Sequence, residues 1–171
     1  MNTKFITIDQ ITTKHQECIL AYGHFTTIHA GHIRYLKHAR SLGKTLVIAL
    51  KGDYKIEGKS KYVFNEKERA EALGLLSIAN FILFIGNEKL EDIIKKLLPK
   101  VVVLGKEFEE PESGKYLMED NEVKDILNVL KMQENMGFKV EFHAGDINYA
   151  STDLFKTSSS ELFLARKNLF L

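Results

Sequence analysis

The stretch CILAYGHFTTIHAGH, residues 18–32, decides the fold. Its first part, Cys18–Ala21, is a short apolar run with the length and flanks of a buried strand. The segment that follows predicts a helix, because apolar residues recur on one helical face: Ile33, Leu36, Ala39 and Leu42. Gly43 stands where a C-terminal glycine would end that helix. Two histidines, His29 and His32, therefore lie where a strand passes into a helix.

This position favours phosphate binding. A helix N-terminus offers free backbone N–H groups and a partial positive charge. Gly23 and Gly31 have no side chain to keep a bulky anion from the backbone. The imidazoles of His29 and His32 can donate hydrogen bonds to a phosphoryl group on which negative charge develops. The sequence contains no Walker-type G-x-x-x-x-G-K-[ST] loop.

Strand-like and helix-like segments alternate through the rest of the chain. Four more apolar runs predict strands: Thr45–Leu50, Phe81–Ile85, Val101–Leu104 and Phe138–Phe142. The segments between them predict helices, one with Asn65 as its N-cap and one ending at Gly137. This alternation predicts an α/β, Rossmann-like, doubly wound parallel sheet of about five strands with helices on both faces. Ligands on such sheets bind at the carboxyl ends of the strands.

Length and composition indicate one globular domain. The chain has 171 residues, of which 44% are hydrophobic and 27% charged, and its net charge is +1. This balance gives no indication of a nucleic-acid or membrane partner, and a single cysteine without a signal peptide favours the cytoplasm. We divide the chain into a leader packed on the domain (residues 1–16), the domain itself (17–156) and an apolar C-terminal helix or tail (157–171). The tail is expected to close a homodimer or to lead into a domain outside this chain.

The first loop carries a resemblance to a known family. Gly23-x-Phe25, followed by His29-Ala30-Gly31-His32, resembles the G-x-F-D…H-x-G-H signature of the cytidylyltransferase-like nucleotidyltransferases. One position departs from that signature, because Thr26 stands where the family has aspartate.

The resemblance implies an activity. Members of the family transfer a nucleotidyl group from CTP or ATP to a phosphorylated alcohol or sugar and release pyrophosphate. In them the two histidines stabilise the attacked α-phosphate and the leaving pyrophosphate, which gives those roles to His29 and His32. A Mg²⁺ ion that bridges the nucleotide phosphates is implied as well, and no separate metal site of the protein is expected.

Three further segments resemble parts of the family site. Lys59-Ser60-Lys61 and Arg69 match a K-x-K loop and the arginine of the next helix, although a solvated lysine loop is the alternative. Residues 105–108 resemble a segment near the nucleotide base, and residues 151–152 resemble a phosphate-binding Ser-Thr pair that could equally be an N-cap. The resemblance thus assigns catalysis to His29, His32, Lys59 and Lys61, and nucleotide binding to Gly23, His24, Phe25, Thr26, Gly31, Arg69, Gly105, Lys106, Glu107, Phe108, Ser151 and Thr152. The remaining histidines are expected outside the site, with His15 and His38 on the surface.

Two features bear on the substrate. Choline-phosphate and glycerol-3-phosphate cytidylyltransferases carry R-T-x-G-I-S-T before the last helix, whereas Asp146–Thr152 contains no arginine. The leader Lys4–Ile11 resembles that of heptose-1-phosphate adenylyltransferase domains, which occur in bifunctional proteins with a sugar kinase. The resemblance therefore favours a sugar-phosphate adenylyltransferase with a fused or partner kinase. A CTP-dependent polyol-phosphate cytidylyltransferase and a catalytically degenerate nucleotide-binding domain are the alternatives, and the choice between ATP and CTP stays open.

Overall fold

The computed structural model describes residues 2–53, 55–56, 59–60, 62–113 and 118–143, with backbone only for 55–56 and 59–60. Its strands are β1 (Lys4–Thr7), β2 (Ile19–Gly23), β3 (Leu46–Lys51), β4 (Lys55–Ile56), β5 (Lys59–Ser60), β6 (Phe81–Gly86), β7 (Val101–Gly105) and β8 (Lys139–His143). Its helices are α1 (Ala30–Ser41), α2 (Glu66–Leu75), α3 (Leu90–Leu97) and α4 (Asp120–Met136), with single 3₁₀ turns at Ile8–Gln10, Thr13–His15 and Lys106–Phe108.

Six of the strands form one parallel sheet in the order β1-β6-β3-β2-β7-β8. From β2 the chain runs through β3 to β6 on one side, then returns to β7 and β8 on the other. The direction of winding therefore reverses between β2 and β7, which is where sheets of this kind bind ligands. β4 and β5 form a separate antiparallel pair. The predicted fold class is confirmed.

Helices cover both faces of the sheet because side chains alternate along its strands. Leu20 and Tyr22 of β2 belong to the core beneath α3 and α4, whereas Ile19 and Ala21 belong to the core beneath α1 and α2. Both clusters are built from fully or nearly fully buried apolar side chains. The central strands are thus buried on both faces, which is why they read as continuous apolar runs in the sequence.

The sheet has six strands rather than about five. The extra strand, β1, lies in the leader and pairs with β6 at one edge of the sheet. Only Ile6 of its four residues is buried, and Phe5 is 49% exposed, so the segment shows little of the apolar pattern of a central strand. The Thr3 hydroxyl, which donates to the Ala79 carbonyl at 2.8 Å, holds the start of this strand in place.

Local details differ from the prediction at two positions. Gly43 does not adopt the left-handed conformation of a helix-ending glycine, and α1 ends on Leu42 with ordinary helical angles. A Cβ at Gly43 would lie 2.8 Å from Ile19 Cγ1, so close packing against β2 explains this glycine. His15 is not on the surface: it is 1% exposed, and its ring packs edge-on against Phe81. As predicted, α2 begins after its N-cap Asn65 and α4 ends at Gly137.

Several predicted features lie outside the described residues: Lys61, Ser151, Thr152 and the tail at 157–171. Among the helices that the structure does describe, none combines the length and the apolar character needed to cross a membrane.

Candidate active site

The two central strands separate at the point where the winding reverses. β2 and β7 pair from Ile19 opposite Val101 to Ala21 opposite Val103. Beyond that point the hydroxyl of Tyr35, from α1, lies between the strands. It accepts from the Tyr22 amide at 3.2 Å and donates to the Val103 carbonyl at 2.5 Å. This buried hydroxyl pairs with backbone groups of β2 and β7 beyond the last residues that the two strands pair directly. It therefore holds the two strands in fixed positions where they separate.

Phe25 determines the shape of the first loop, residues 23–29. Its backbone has φ +49°, a left-handed conformation that costs free energy for a residue other than glycine. The side chain is 3% exposed and folds back over Gly23, where a Cβ would lie 2.9 Å from Phe25 Cε2. Gly23 is therefore required by packing against Phe25. The predicted role of both residues in nucleotide binding stays a prediction.

His29 is the N-cap of α1. Its Nδ1 accepts from the Gly31 amide at 3.0 Å, so neutral His29 carries its proton on Nε2. Nε2 is buried and has no hydrogen-bond partner among the described residues. Burial lowers the pKa of His29, and the positive charge of Arg34 lowers it further. At neutral pH His29 thus offers a buried, unpaired N–H donor beside the start of a helix.

His32 stacks on His29, with ring centroids 4.0 Å apart and planes inclined by 25°. Its Nδ1 lies 3.4 Å from the His29 amide, from which it accepts. Burial and the neighbouring His29 lower the pKa of His32 to about 3, although a hydrogen bond with the Thr27 backbone opposes this shift. The pair predicted from the H-x-G-H spacing is therefore assembled and uncharged at neutral pH.

His24 points to the other side of the first loop, into a hydrogen-bonded cluster. Its Nε2 lies 2.6 Å from Glu122 Oε2, which also accepts from the Tyr22 hydroxyl at 2.5 Å, and its Nδ1 contacts the Tyr62 hydroxyl. Burial raises the pKa of Glu122, but the hydrogen bonds from His24 and Tyr22 more than offset this, so its pKa is lowered overall. Glu122 is therefore ionised and accepts from His24. Tyr22, Tyr62 and Glu122 were not among the site residues predicted from the sequence.

Arg69 braces the loops around this cluster. It is 2% exposed, and its guanidinium carbon lies 4.3 Å from the centre of the Tyr62 ring. Its donors reach four oxygens: His24 O at 2.5 Å, Lys51 O at 2.9 Å, Phe64 O at 3.1 Å and Asp53 Oδ1 at 3.1 Å. Arg69 thus joins the first loop, the end of β3 and the segment before α2. Its predicted contact with nucleotide stays a prediction.

The segment after β7 forms the 3₁₀ turn Lys106–Phe108. Phe108 is 4% exposed and packs on Tyr22, with ring centroids 5.6 Å apart, whereas Lys106 is exposed. The Glu107 carboxylate lies over Gly105, where a Cβ would be 2.5 Å from Glu107 Oε1. The segment thus follows the carboxyl end of β7, and Phe108 anchors it in the core beside Tyr22; its predicted contact with nucleotide stays a prediction.

The remaining predicted residues are only partly defined. Thr26 is half-buried in the first loop. Lys59 lies in β5, of which only the backbone is described, and Lys61, Ser151 and Thr152 lie outside the described residues.

The chemistry of the described donors bears on the implied Mg²⁺. Mg²⁺ binds oxygen ligands, whereas the two histidines offer an N–H group and ring nitrogens. The described part of the chain holds no group of three or more His, Cys, Asp or Glu residues placed to bind a metal ion. The Mg²⁺ that would accompany the nucleotide stays a prediction.

Comparison with known proteins shows the family of the chain. Residues 20–157 match the cytidylyltransferase-like family. The chain is 30% identical over 114 residues to the bifunctional protein HldE of Campylobacter curvus, covering 65% of this chain and 24% of that protein. It is 35% identical over 96 residues to FAD synthase of Methanohalophilus mahii, covering 55% of this chain and 68% of that one. The crystal structure of the lipopolysaccharide core biosynthesis protein from Thermoplasma volcanium is similar, with a TM-score of 0.48, 23% identity, and coverage of 72% of this chain and 90% of that chain.

The extent of these matches differs. The chain spans about a quarter of the length of the HldE relative, whose name describes two activities. The match to the family extends over more than half of the chain and includes the first loop and both histidines. The predicted family is thereby confirmed, and the chain belongs to the cytidylyltransferase-like family of nucleotidyltransferases.

Proposed function

We propose that this chain transfers a nucleotidyl group from ATP or CTP to a phosphorylated sugar or polyol and releases pyrophosphate. The buried, unpaired Nε2–H of His29 at the start of α1 carries the proposal. An unpaired buried donor costs roughly 1–3 kcal/mol, and a phosphoryl oxygen would satisfy it. The neutral state of His29 and His32 suits donors that bind an oxyanion without giving up a proton.

The reaction needs no covalent enzyme intermediate. An oxygen of the acceptor phosphate attacks the α-phosphorus in line, and the bond from that phosphorus to the oxygen bridging toward the β-phosphorus breaks. The electron pair leaves with pyrophosphate. His29 donates to the oxygens on which negative charge increases, and His32 joins it by exchanging its hydrogen bond with the Thr27 backbone for one to the phosphate. Lys59 and Lys61 balance the charge of the phosphates. Mg²⁺, bound through nucleotide phosphates, would supply further charge neutralisation.

The finer substrate assignment rests on resemblance. The leader resembles that of heptose-1-phosphate adenylyltransferase domains, and bifunctional HldE proteins are among the relatives. We therefore favour ATP and a sugar phosphate over CTP and a polyol phosphate. A homodimer, a fused or partner sugar kinase and a cytoplasmic location belong to the same proposal.

The test is pyrophosphate release with Mg²⁺, using ATP and CTP separately against a panel of sugar-1-phosphates and polyol phosphates. His29→Ala and His32→Ala are each expected to lower kcat by about 10²–10³, as loss of a preorganised donor does elsewhere. His38→Ala is the matched control, because His38 lies two turns further along α1 and pairs with Glu141 at 3.2 Å. It should retain wild-type turnover.

Each outcome discriminates between the alternatives. Turnover with one nucleotide and one class of acceptor would fix the substrate. Tight nucleotide binding without pyrophosphate release across the panel would favour the catalytically degenerate binding domain. Wild-type turnover by His29→Ala would contradict the role proposed for that histidine.

A further inference from the structure

Three buried side-chain nitrogens lack a hydrogen-bond partner within the described residues: His15 Nε2, His29 Nε2 and Arg34 NH1. His15 lies in the leader, where its ring packs on Phe81. The other two belong to the first half of α1 and its N-cap. Buried donors are nearly always paired in native proteins, so two unpaired ones on neighbouring turns require an explanation.

The two nitrogens on α1 lie on the same stretch of helix. Side chains on an α-helix lean toward its N-terminus, and arginine is long enough to reach back about one turn. Arg34, five positions after the N-cap His29, can therefore bring its guanidinium beside the first turn. The positive charge of Arg34 also lowers the pKa of His29, as expected for two groups that lie close together.

Other cations near the ends of the strands already donate to protein oxygens. Arg69 donates to three carbonyls and one carboxylate. Lys51 Nζ, at the end of β3, donates to the Glu88 carbonyl at 3.2 Å. Arg34 differs from both, since the described residues leave one of its buried nitrogens unpaired.

We propose that Arg34 is a further substrate-binding residue, whose guanidinium contacts the phosphate chain of the nucleotide beside His29. The inference rests on the proposed function. Arginine suits the task because its planar fork is always charged and can hold two phosphoryl oxygens at once. A phosphoryl group at this position would pair Arg34 NH1 and His29 Nε2 together. In addition, it would lie at the partial positive charge of the helix start.

The experiment compares Arg34→Gln, Arg34→Lys and Lys37→Gln. Lys37 is the matched control, because it is an exposed cation on the same helix. Binding of inorganic pyrophosphate and of each nucleotide is measured by calorimetry, alongside kcat and KM for pyrophosphate release. Arg34→Gln is expected to bind pyrophosphate about 10- to 100-fold more weakly, the typical effect of losing a charged hydrogen bond. Arg34→Lys should recover part of the affinity, and Lys37→Gln should stay within about threefold of wild type, as screened surface charges do.

Thermal unfolding separates binding from a structural role. Without ligand, Arg34→Gln should melt within a few degrees of the wild type, whereas the rise in melting temperature with pyrophosphate should shrink. Wild-type affinity in Arg34→Gln would overturn the inference. A large loss of stability with unchanged affinity would overturn it too, and would show that Arg34 pairs with a protein group. If the wild type itself bound neither pyrophosphate nor nucleotide, the proposed function would fail, and this inference with it.

Discussion

Acidification is expected to destabilise the folded chain through His32. Burial among the first loop and the stacked His29 ring lowers the pKa of His32 from 6.5 to about 3. In the unfolded chain the same imidazole is solvated and titrates near its ordinary value. Between these two values the unfolded state binds a proton that the folded state does not bind.

The size of the effect follows from this difference. A group whose pKa is depressed on folding stabilises the fold above its unfolded pKa, and this contribution is lost as the pH falls toward the folded value. Taking about 3 for the folded state and 6.5 for the unfolded state, the free energy of unfolding falls by about 2 to 3 kcal/mol between about pH 7 and about pH 4.5 through His32 alone.

The assay is urea unfolding across this pH range, in buffers without phosphate, for the wild type and His32→Gln. Glutamine takes up no proton in this range, so the free energy of unfolding of the variant should fall by about 2 to 3 kcal/mol less than that of the wild type. Carboxylates titrate in both proteins and cancel in the comparison. Lys37→Gln, an exposed change on the same helix, should retain the wild-type dependence. Parallel pH curves for the wild type and His32→Gln would refute the reasoning, since they would mean that His32 is not held neutral by the fold.

Two other substitutions test the framework of the site. Gly23→Ala is expected to destabilise the protein by about 1–3 kcal/mol in urea unfolding, because the added Cβ would lie 2.9 Å from Phe25 Cε2. Adding Phe25→Leu should relieve part of that cost, and no effect of Gly23→Ala would contradict the close packing. Arg69→Lys keeps the charge, but one ammonium cannot reach four oxygens on three segments. We expect a loss of about 3 kcal/mol in thermal unfolding, and stability within about 0.5 kcal/mol of wild type would show that the brace is dispensable.

The fold could be predicted from local pattern because its central strands are buried on both faces. Such strands appear as continuous apolar runs, and the segments between them have helical periodicity and recognisable caps, such as Asn65 and Gly137. The strand that was missed, β1, is short, lies at an edge and buries only Ile6. Its place in the sheet depends on pairing with β6, more than seventy residues away, and no local signal carries that information.

Side chains that lie close together in space could be predicted where they belong to one loop. The spacing of His29 and His32 at a strand-to-helix junction predicted that the two side chains lie together, and in the structure their rings stack. The cluster on the other side of the loop was not predictable, because Glu122 lies 98 positions from His24 and 100 from Tyr22. A glutamate in the first turn of a helix is explained by its favourable interaction with the helix dipole, so the sequence gives no reason to connect Glu122 with a distant loop.

The two sides of the first loop differ in charge. On the side of α1 lie the start of the helix, the neutral histidine pair and the positive charge of Arg34. On the side of α4 lies Glu122, whose hydrogen bonds with His24 and Tyr22 keep it ionised. Because like charges repel more strongly where water is excluded, a phosphate chain is expected on the α1 side, away from this carboxylate. An uncharged part of a ligand, such as a sugar with hydroxyl donors, suits the α4 side, where a carboxylate can accept from it. In the proposed reaction, the α1 side of the loop would thus bind the phosphates during nucleotidyl transfer, and the α4 side would recognise the acceptor. Arg69 holds this loop in place by donating to the His24 carbonyl.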